Sequence, residues 1–594
     1  MVIDFTHYFH CSIMANPRLK RLFSYLKPYQ KNLYWGIFAL LAVNIVGVSI
    51  PWLIRNIFDD LEEGFTFEQL ISYVLLLFFL ACVMWGMRMF SRMTIFGIGR
   101  QVEFDLKQTI FEHLLRLEPS YFSTNTSGDL INRATSDVDN IRRLVGFAIL
   151  SLVNTVFAYG LTLPAMLLIN VKLSLMAIAI YPLMLITVQL FSRKLAEEQL
   201  KVQESLSDIS ELIQEDMSGI ALIKIYAQEE NERRAFAQKN HNLLKANLGL
   251  ARTRNILFPV IQGIASISLL ILLWFGTSDI NRGLISVGDF IALIIYVERL
   301  VFPTALLGFT ITTYQRGEVS IDRLEAITQV ESKIKTNPNA VSMNPEDIQG
   351  EIRAVDLTYV YPDAGKPALN HLNFTINAGE TVAIVGLIGS GKSTLANAIP
   401  RLLEIEEGQL FLDGVDLTKI NLTDLRRAIA YVPQESFLFS TSIKNNIAYS
   451  DPMGEMPEIE YAAKQAQIHP EIITFPQQYE TLVGERGITL SGGQRQRSSL
   501  ARALFAESKI LILDDALSSV DNKTATQILE NLRQEEGKTV IFITHQLAAV
   551  QNADRIFVMD NGKIVQIGTH SELFNQEGLY KTLWQQHQLQ EILS

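Results

Sequence analysis

Five uncharged stretches dominate the first half of this chain: Asn32–Ile54, Gln69–Met87, Leu144–Val171, Leu173–Ser192 and Asn255–Ser278. Each is long enough to cross the hydrocarbon core of a bilayer as a helix, which takes ~20 residues. In lipid every backbone N–H and C=O must be satisfied within its own segment, so such stretches read as spanning helices. A sixth stretch, near Phe290–Phe309, is apolar except for Glu298 and Arg299 at its centre.

Parity decides whether the sixth counts. The second half contains "GLIGSGKST" after an apolar strand, the pattern of a nucleotide-phosphate loop, whose ligand is inside the cell, and the N-terminal flank is basic (Arg18, Lys20, Arg21, Lys27, Lys31), which also favours the inside. Two inside ends require an even number of spans, so six are predicted over residues 32–330. The intended outer loops, around Arg55–Glu68, Lys172 and Asp279–Asp289, hold one basic residue each, in keeping with the positive-inside rule.

The bulk numbers agree. Of 594 residues, 48% are hydrophobic and only 19% charged, with a mean hydropathy of +0.18. A formal charge of −11 argues against nucleic acid as a partner. Two cysteines, Cys11 and Cys82, are too few for a disulfide framework or a thiolate metal site. The N-terminus lacks the order of a secretory signal. Met14 is as good a start as Met1, because the run after it reads as a basic amphipathic elbow helix, giving an N-terminal cytoplasmic segment over 1–31.

Between the spans, Arg88–Arg143 and Arg193–Arg254 are charged yet keep apolar residues at helical spacing. Helices two to five are therefore expected to run well past the membrane and to meet at short bends, near "EPSYFSTNTSGDL" and "QEDMSGIALIKIYAQEE". Glu298 has two readings: it faces a cavity or cargo, or it pairs with a basic residue such as Arg88 and fixes helix packing. A polar linker, 331–350, precedes a second domain, 351–594, with the short strands, glycine turns and helices of a soluble α/β fold.

In that domain "GLIGSGKST" comes after the strand "TVAIVG" and opens a helix. That context makes Gly386, Leu387, Ile388, Gly389, Ser390, Gly391, Lys392, Ser393 and Thr394 a phosphate-binding loop for ATP or GTP. Lys392 supplies a charge to the β- and γ-phosphates and Ser393 a hydroxyl to Mg2+. Farther on, "LILDDALSSVD" ends a buried strand in two carboxylates, and Asp514 is placed to hold Mg2+. Between them "LSGGQ" (Leu490–Gln494) precedes a long helical run, a second helix N-terminus suited to phosphate. One such loop and one such helix suggest two copies facing each other, each completing the other's site.

These residues resemble the ATP-binding cassette (ABC) exporter half-transporters, with a membrane domain fused ahead of the ATPase, over Arg18 to about Leu589. "LSGGQ" matches the signature, "TLVGERG" the exporter loop before it, "YVPQESFLF" the glutamine loop, "SSVD" the dimer-contact loop and "ITHQL" the switch histidine. The resemblance implies that Tyr361 stacks on adenine, that Gln434 contacts Mg2+ and the attacking water, and that His545 contacts the γ-phosphate. It implies that Ser491, Gly492, Gly493 and Gln494 close on ATP bound to a partner subunit. The two bends would dock on ATPase domains, the second one in trans.

One residue departs from the family. A competent site has glutamate after the strand-end aspartate; here it is Asp515. Losing a methylene retracts the carboxylate by about 1.5 Å, and misplacement by ~1 Å can cost ~100-fold in rate. The chain's own site is thus expected to bind ATP and hydrolyse it slowly, which favours the degenerate-site subunit of a heterodimer over a homodimer. The resemblance implies ATP-driven export of an apolar or amphiphilic cargo (drug-like compound, lipid or peptide) from a bacterial inner membrane, with both termini cytoplasmic. The alternative is a nucleotide-gated regulator or channel in which slow hydrolysis only times the state. No peptidase-like domain precedes the membrane half, which is expected to disfavour a peptide-processing exporter.

Overall fold

The computed structural model describes residues 17–593 except 65, 345, 363, 534–536 and 552. Cys11 and the choice between Met1 and Met14 lie outside the described residues. Two units divide the chain, one of residues up to Leu115 with Asn125–Val330, the other of Arg116–Thr124 with Glu331–Ser594.

In the first unit six helices are long and apolar enough to cross a membrane: Lys20–Leu61, Phe67–Leu114, Ser127–Ile169, Val171–Ser218, Glu229–Asn281 and Val287–Thr328. Each stretch predicted from hydropathy falls inside one of them, the sixth included, except that Leu144–Val171 overruns the third helix by Asn170, which caps the fourth, and Val171, which begins it. At 1.5 Å per residue the fifth, 53 residues long, reaches about 80 Å, far beyond a ~30 Å hydrocarbon layer. Thr66 with Gln69 and Ser286 with Asp289 form capping boxes that start the second and sixth spans.

Two loops expected on the outside are shorter than the sequence suggested. The first helix runs on to Glu63 and the fifth to Asn281. Charges read as loop residues instead join the first span to the sixth: Arg55 Nε lies 2.8 Å from Asp289 Oδ1, and the Gly288 amide donates to Asp59 Oδ1 at 3.1 Å. The third span is also not one regular helix. Wider turns at Arg133–Asp137 and Leu144–Ala148 interrupt it, and the first carries Asp137 into the interior, where the Ser320 hydroxyl donates to it at 2.6 Å.

Elsewhere the spans are held by hydroxyls reaching backbone carbonyls of neighbours. Tyr181 donates to Val297 O at 2.5 Å, Tyr296 to Val48 O at 2.7 Å, Ser268 to Ala177 O and Ser91 to Gly36 O at 2.8 Å each. Glu298 does not form the pair with Arg88 that was one reading of the sequence. Among the described residues it makes no ion pair, and its side chain is exposed. Arg299, about 100° further round the helix, is the one that packs, with Nη2 donating to Asn44 O and Oδ1 at 3.3 Å.

The expected bends are short helices, Pro119–Thr124 and Ile220–Ile225. The first clusters with the second unit. The second leaves Ile220, Leu222, Ile225 and Tyr226 exposed.

The second unit holds two sheets. The smaller is antiparallel, built from β1 (Ile352–Tyr359), β2 (Leu369–Ile376), β4 (Leu410–Leu412) and β5 (Val415–Asp416) in the order β2-β1-β4-β5. The larger is built from β3 (Thr381–Gly386), β6 (Ile429–Val432), β7 (Ile510–Asp514), β8 (Thr539–Ile543), β9 (Arg555–Asp560) and β10 (Lys563–Gly568). Its order is β10-β9-β3-β8-β7-β6. Its strands β6, β7, β8, β3 and β9 are parallel. Their continuous apolar sequences reflect burial on both faces: Val385, Leu511 and Leu513 enter one core cluster, while Ile384, Ile510 and Ile512 enter the other. Linker residue Val341 is stitched to this unit, its amide donating to Lys419 O at 2.7 Å and its carbonyl accepting from Asn421 at 2.9 Å.

Gly317 on the sixth span faces the second wide turn of the third. A Cβ there would lie 2.7 Å from the Leu144 side chain, so Gly317→Val is expected to destabilise the helix pair by about 1–3 kcal/mol, measured as a lower melting temperature of the solubilised protein.

Candidate active site

Strands β3 and β7 flank β8, and all three run the same way, so the loop leaving β3 and the carboxylate ending β7 meet at one edge. The loop after β3 turns back sharply before the helix Lys392–Ala398. Gly391 has φ +100°, and a Cβ there would sit 2.4 Å from Ala368 O, so only glycine fits. The first turn of the helix leaves its N–H groups without intrahelical acceptors, aimed into the cleft.

Tyr361, Ala368, Ile388 to Thr394, Gln434, Asp514, Asp515, Ile543 and His545 line one cleft of about 480 Å³. The structure thus gathers most of the sequence-predicted residues, with the exposed Gln434 and His545 at its edge. Gly386 and Leu387 stand beside it through their carbonyls, which accept from Lys392 Nζ at 3.0 and 2.8 Å. Tyr361 leans on Thr394, hydroxyl to hydroxyl at 3.3 Å.

Ser393 Oγ donates to Asp514 Oδ1 at 3.0 Å. A hydroxyl and a carboxylate so paired fit Mg2+, a hard cation that takes one or two protein oxygens and completes its shell with phosphate and water. Among the described residues no group of three His, Cys, Asp or Glu side chains could hold a metal by itself. Bound there, Mg2+ would neutralise charge on the β- and γ-phosphates.

The two adjacent carboxylates differ in their surroundings. Asp514, 3% exposed, also accepts from the Tyr431 hydroxyl at 3.4 Å. Burial pushes its pKa above the ordinary carboxylate range, against the hydrogen bonds from Ser393 and Tyr431; the neighbouring charge of Asp515 adds to the rise, and that of Lys392 opposes it. Asp515, 9% exposed, takes a left-handed backbone conformation, φ +50°. Its pKa is likewise raised by burial, opposed first by the charge of His545 and its backbone hydrogen bond, then by Lys392 and Gln434. Its Oδ1 is buried with no hydrogen-bond partner among the described residues. Burial lowers the Lys392 pKa, against the two aspartate charges.

The signature residues stand elsewhere in this unit. Ser491 caps the helix Gly492–Phe505, accepting from the Gln494 amide at 3.2 Å, while Gln494 Oε1 accepts from the Ser491 amide at 2.9 Å. Gly493 is pressed against the loop Ser518–Asp521; a Cβ would lie 2.8 Å from Ser519 O. Sequence reasoning missed Gln496, 6% exposed, which donates to Ser518 Oγ at 3.0 Å and accepts from the Ser519 amide at 2.8 Å. It missed Tyr431 too, though both lie inside or beside quoted motifs, because only the partners brought to them by the fold distinguish them.

Comparison with known proteins agrees with this geometry. Residues 33–304 match the family profile of the ABC transporter transmembrane region, and residues 369–518 that of the ABC transporter ATPase region, described simply as ABC transporter. The chain is 34% identical over 576 residues to a Bacillus subtilis protein described as a probable multidrug resistance ABC transporter ATP-binding/permease protein, YheI, covering 96% of this chain and 98% of that one. It is 33% identical to the multidrug resistance-like ATP-binding protein MdlA of Escherichia coli, covering 96% and 98%. With an ATP-dependent lipid A-core flippase of Desulfotalea psychrophila it shares 32% identity, covering 95% and 98%. A bacterial Atm1-family ABC exporter solved with ATP bound has the same fold, with a TM-score of 0.77 at 24% identity over 94% of this chain and 98% of that one. The chain belongs to the ABC transporter family, as a half-transporter that joins one membrane region to one ATPase.

Asp514 can hold Mg2+ only when ionised, and its pKa is raised. Mg2+ affinity in the presence of ATP is therefore expected to fall on acidification from a higher pH than an ordinary aspartate would impose. Asp514→Asn should remove that dependence and weaken Mg2+ by more than about tenfold, read by calorimetric Mg2+ titration across pH.

Proposed function

We propose that this chain exports an apolar or amphiphilic cargo by alternating access, as one half of a dimer, with ATP closing paired ATPase domains. The observation that carries the reading is the pairing of an intact phosphate loop and signature helix with six spans far longer than a bilayer. Relatives named for multidrug resistance and for lipid A-core flipping support an amphiphilic cargo class. A bacterial inner membrane with both chain ends in the cytoplasm suits the basic N-terminal flank and the ATPase.

In the working dimer Lys392, Ser393 and Asp514 hold Mg-ATP, with the rest of the loop from Gly386 to Thr394 wrapped round its phosphates and Tyr361 against adenine. Gln434 and His545 approach the γ-phosphate side. Ser491, Gly492, Gly493 and Gln494 close on the partner's ATP. The apolar side chains exposed on Ile220–Ile225 support docking of that bend on the partner's ATPase domain.

The favoured partner is a second, different half-transporter. Asp515 stands at the base position one methylene short, so the site on this chain's own loop turns over slowly while its signature serves the partner's. Asp515→Glu in the purified transporter is expected to raise ATP turnover, by as much as ~100-fold if this site alone becomes competent. If the chain purified alone forms stable dimers turning over at the usual enzyme rate of roughly 1–100 s⁻¹, the heterodimer reading fails.

Glu298, exposed and without an ion pair among the described residues, is read as facing cargo. Glu298→Gln should lower the apparent affinity for cationic amphiphiles in a vesicle transport assay and leave neutral ones unchanged. Equal transport of both classes by the variant would return Glu298 to a packing role.

A further inference from the structure

The run "IHPEI" matches no motif, yet its Glu471 is tied through one oxygen to Gln494 of the signature and through the other to Arg497 in the helix behind it. We propose that Glu471 is a positioning residue: it fixes the carboxamide of Gln494 and, through it, the backbone at Ser491–Gly493 that meets the partner's ATP. This rests on the reading that the signature turn serves that ATP.

Gln494 has one carbonyl oxygen and one amide nitrogen at the end of its side chain. The oxygen accepts from the Ser491 amide at 2.9 Å, so the nitrogen points away from the cap. It donates to Glu471 Oε2 at 2.8 Å. A carboxylate only accepts, so it admits the nitrogen and rejects the oxygen, and the carboxamide is held in the one flip that completes the cap. With Gln494 set, the Ser491 and Gln494 amides are both satisfied, which leaves the Gly492 and Gly493 amides to meet phosphate.

The other oxygen of Glu471 lies 2.6 Å from Arg497 Nη2. Arg497, one turn beyond Gln494, also donates from Nε to Gly493 O at 3.3 Å and from Nη1 to Gln467 O at 2.7 Å. Gln467 takes a left-handed conformation, φ +55°, at the corner before the short helix His469–Ile472. A bare carboxylate near a phosphate-binding turn would repel the ligand; Arg497 neutralises it and leaves the geometry. The side chain of Arg497 is 14% exposed and that of Glu471 36%, so the pair is partly shielded from solvent.

The test is the ATP dependence of turnover in the assembled transporter, with Mg-ATP as the probe. E471A is expected to raise KM for Mg-ATP about three- to tenfold, the scale of a lost charge-assisted hydrogen bond acting at one remove, with kcat within about twofold. E471Q keeps one accepting oxygen and should raise KM less than E471A. If Glu471 acts through Gln494, E471A adds little in a Q494A background. A merely structural role would lower the melting temperature and leave KM unchanged, or give additive effects in that double-mutant cycle; either result overturns the proposal. S491A separates the two levels of inference. If S491A leaves turnover intact, the reading of the signature turn fails; if S491A abolishes turnover while E471A and E471Q leave KM unchanged, only the role of Glu471 fails.

Discussion

The hydrogen bond from Ser393 to Asp514 is a consequence of strand register. Ile384 on β3 and Asp514 on β7 both pair with Ile543 on β8, so the loop leaving β3 and the carboxylate ending β7 stand level, one strand apart. A slip of one residue on either strand would turn its side chains to the opposite face of a sheet that is buried on both. The two core clusters that fill those faces therefore set the distance between a hydroxyl and a carboxylate at the edge, and the geometry of that pair comes from packing well inside the domain.

Beyond Asp514 the chain leaves the strand, and Asp515 turns in a left-handed conformation with its amide held by Ile543 O at 2.9 Å. Its neighbour has two donors for its oxygens, whereas one oxygen of Asp515 has none among the described residues. The same residue type, repeated once, acquires two chemistries because one carboxylate belongs to the sheet and the other to the turn after it.

The six spans, the α/β domain and the phosphate loop were legible because each rests on a local pattern: uncharged runs of bilayer length, apolar strands, and a glycine turn between strand and helix. What stayed hidden depended on the facing of individual side chains. Glu298 and Arg299 are adjacent, and nothing local says which of them turns to Asn44. Arg55 and Asp59 look like loop charges until Asp289 and Gly288 arrive from more than two hundred residues away. The first wide turn in the third span has no composition cue, since what it accomplishes is to bring Asp137 to Ser320. Glu471 is an unremarkable acid in a short helix until Gln494 and Arg497 close on it.

Four of the contacts between membrane helices are hydroxyls that reach a neighbour's carbonyl: Tyr296 to Val48, Tyr181 to Val297, Ser268 to Ala177, Ser91 to Gly36. A backbone carbonyl is supplied by every kind of residue, so a substitution at Val48, Val297, Ala177 or Gly36 that fits the space leaves the acceptor where it was. Contacts between two side chains must change together over evolutionary time, but these need only one member kept. At these four contacts the sequence has room to drift on the acceptor's side without losing the arrangement of the helices.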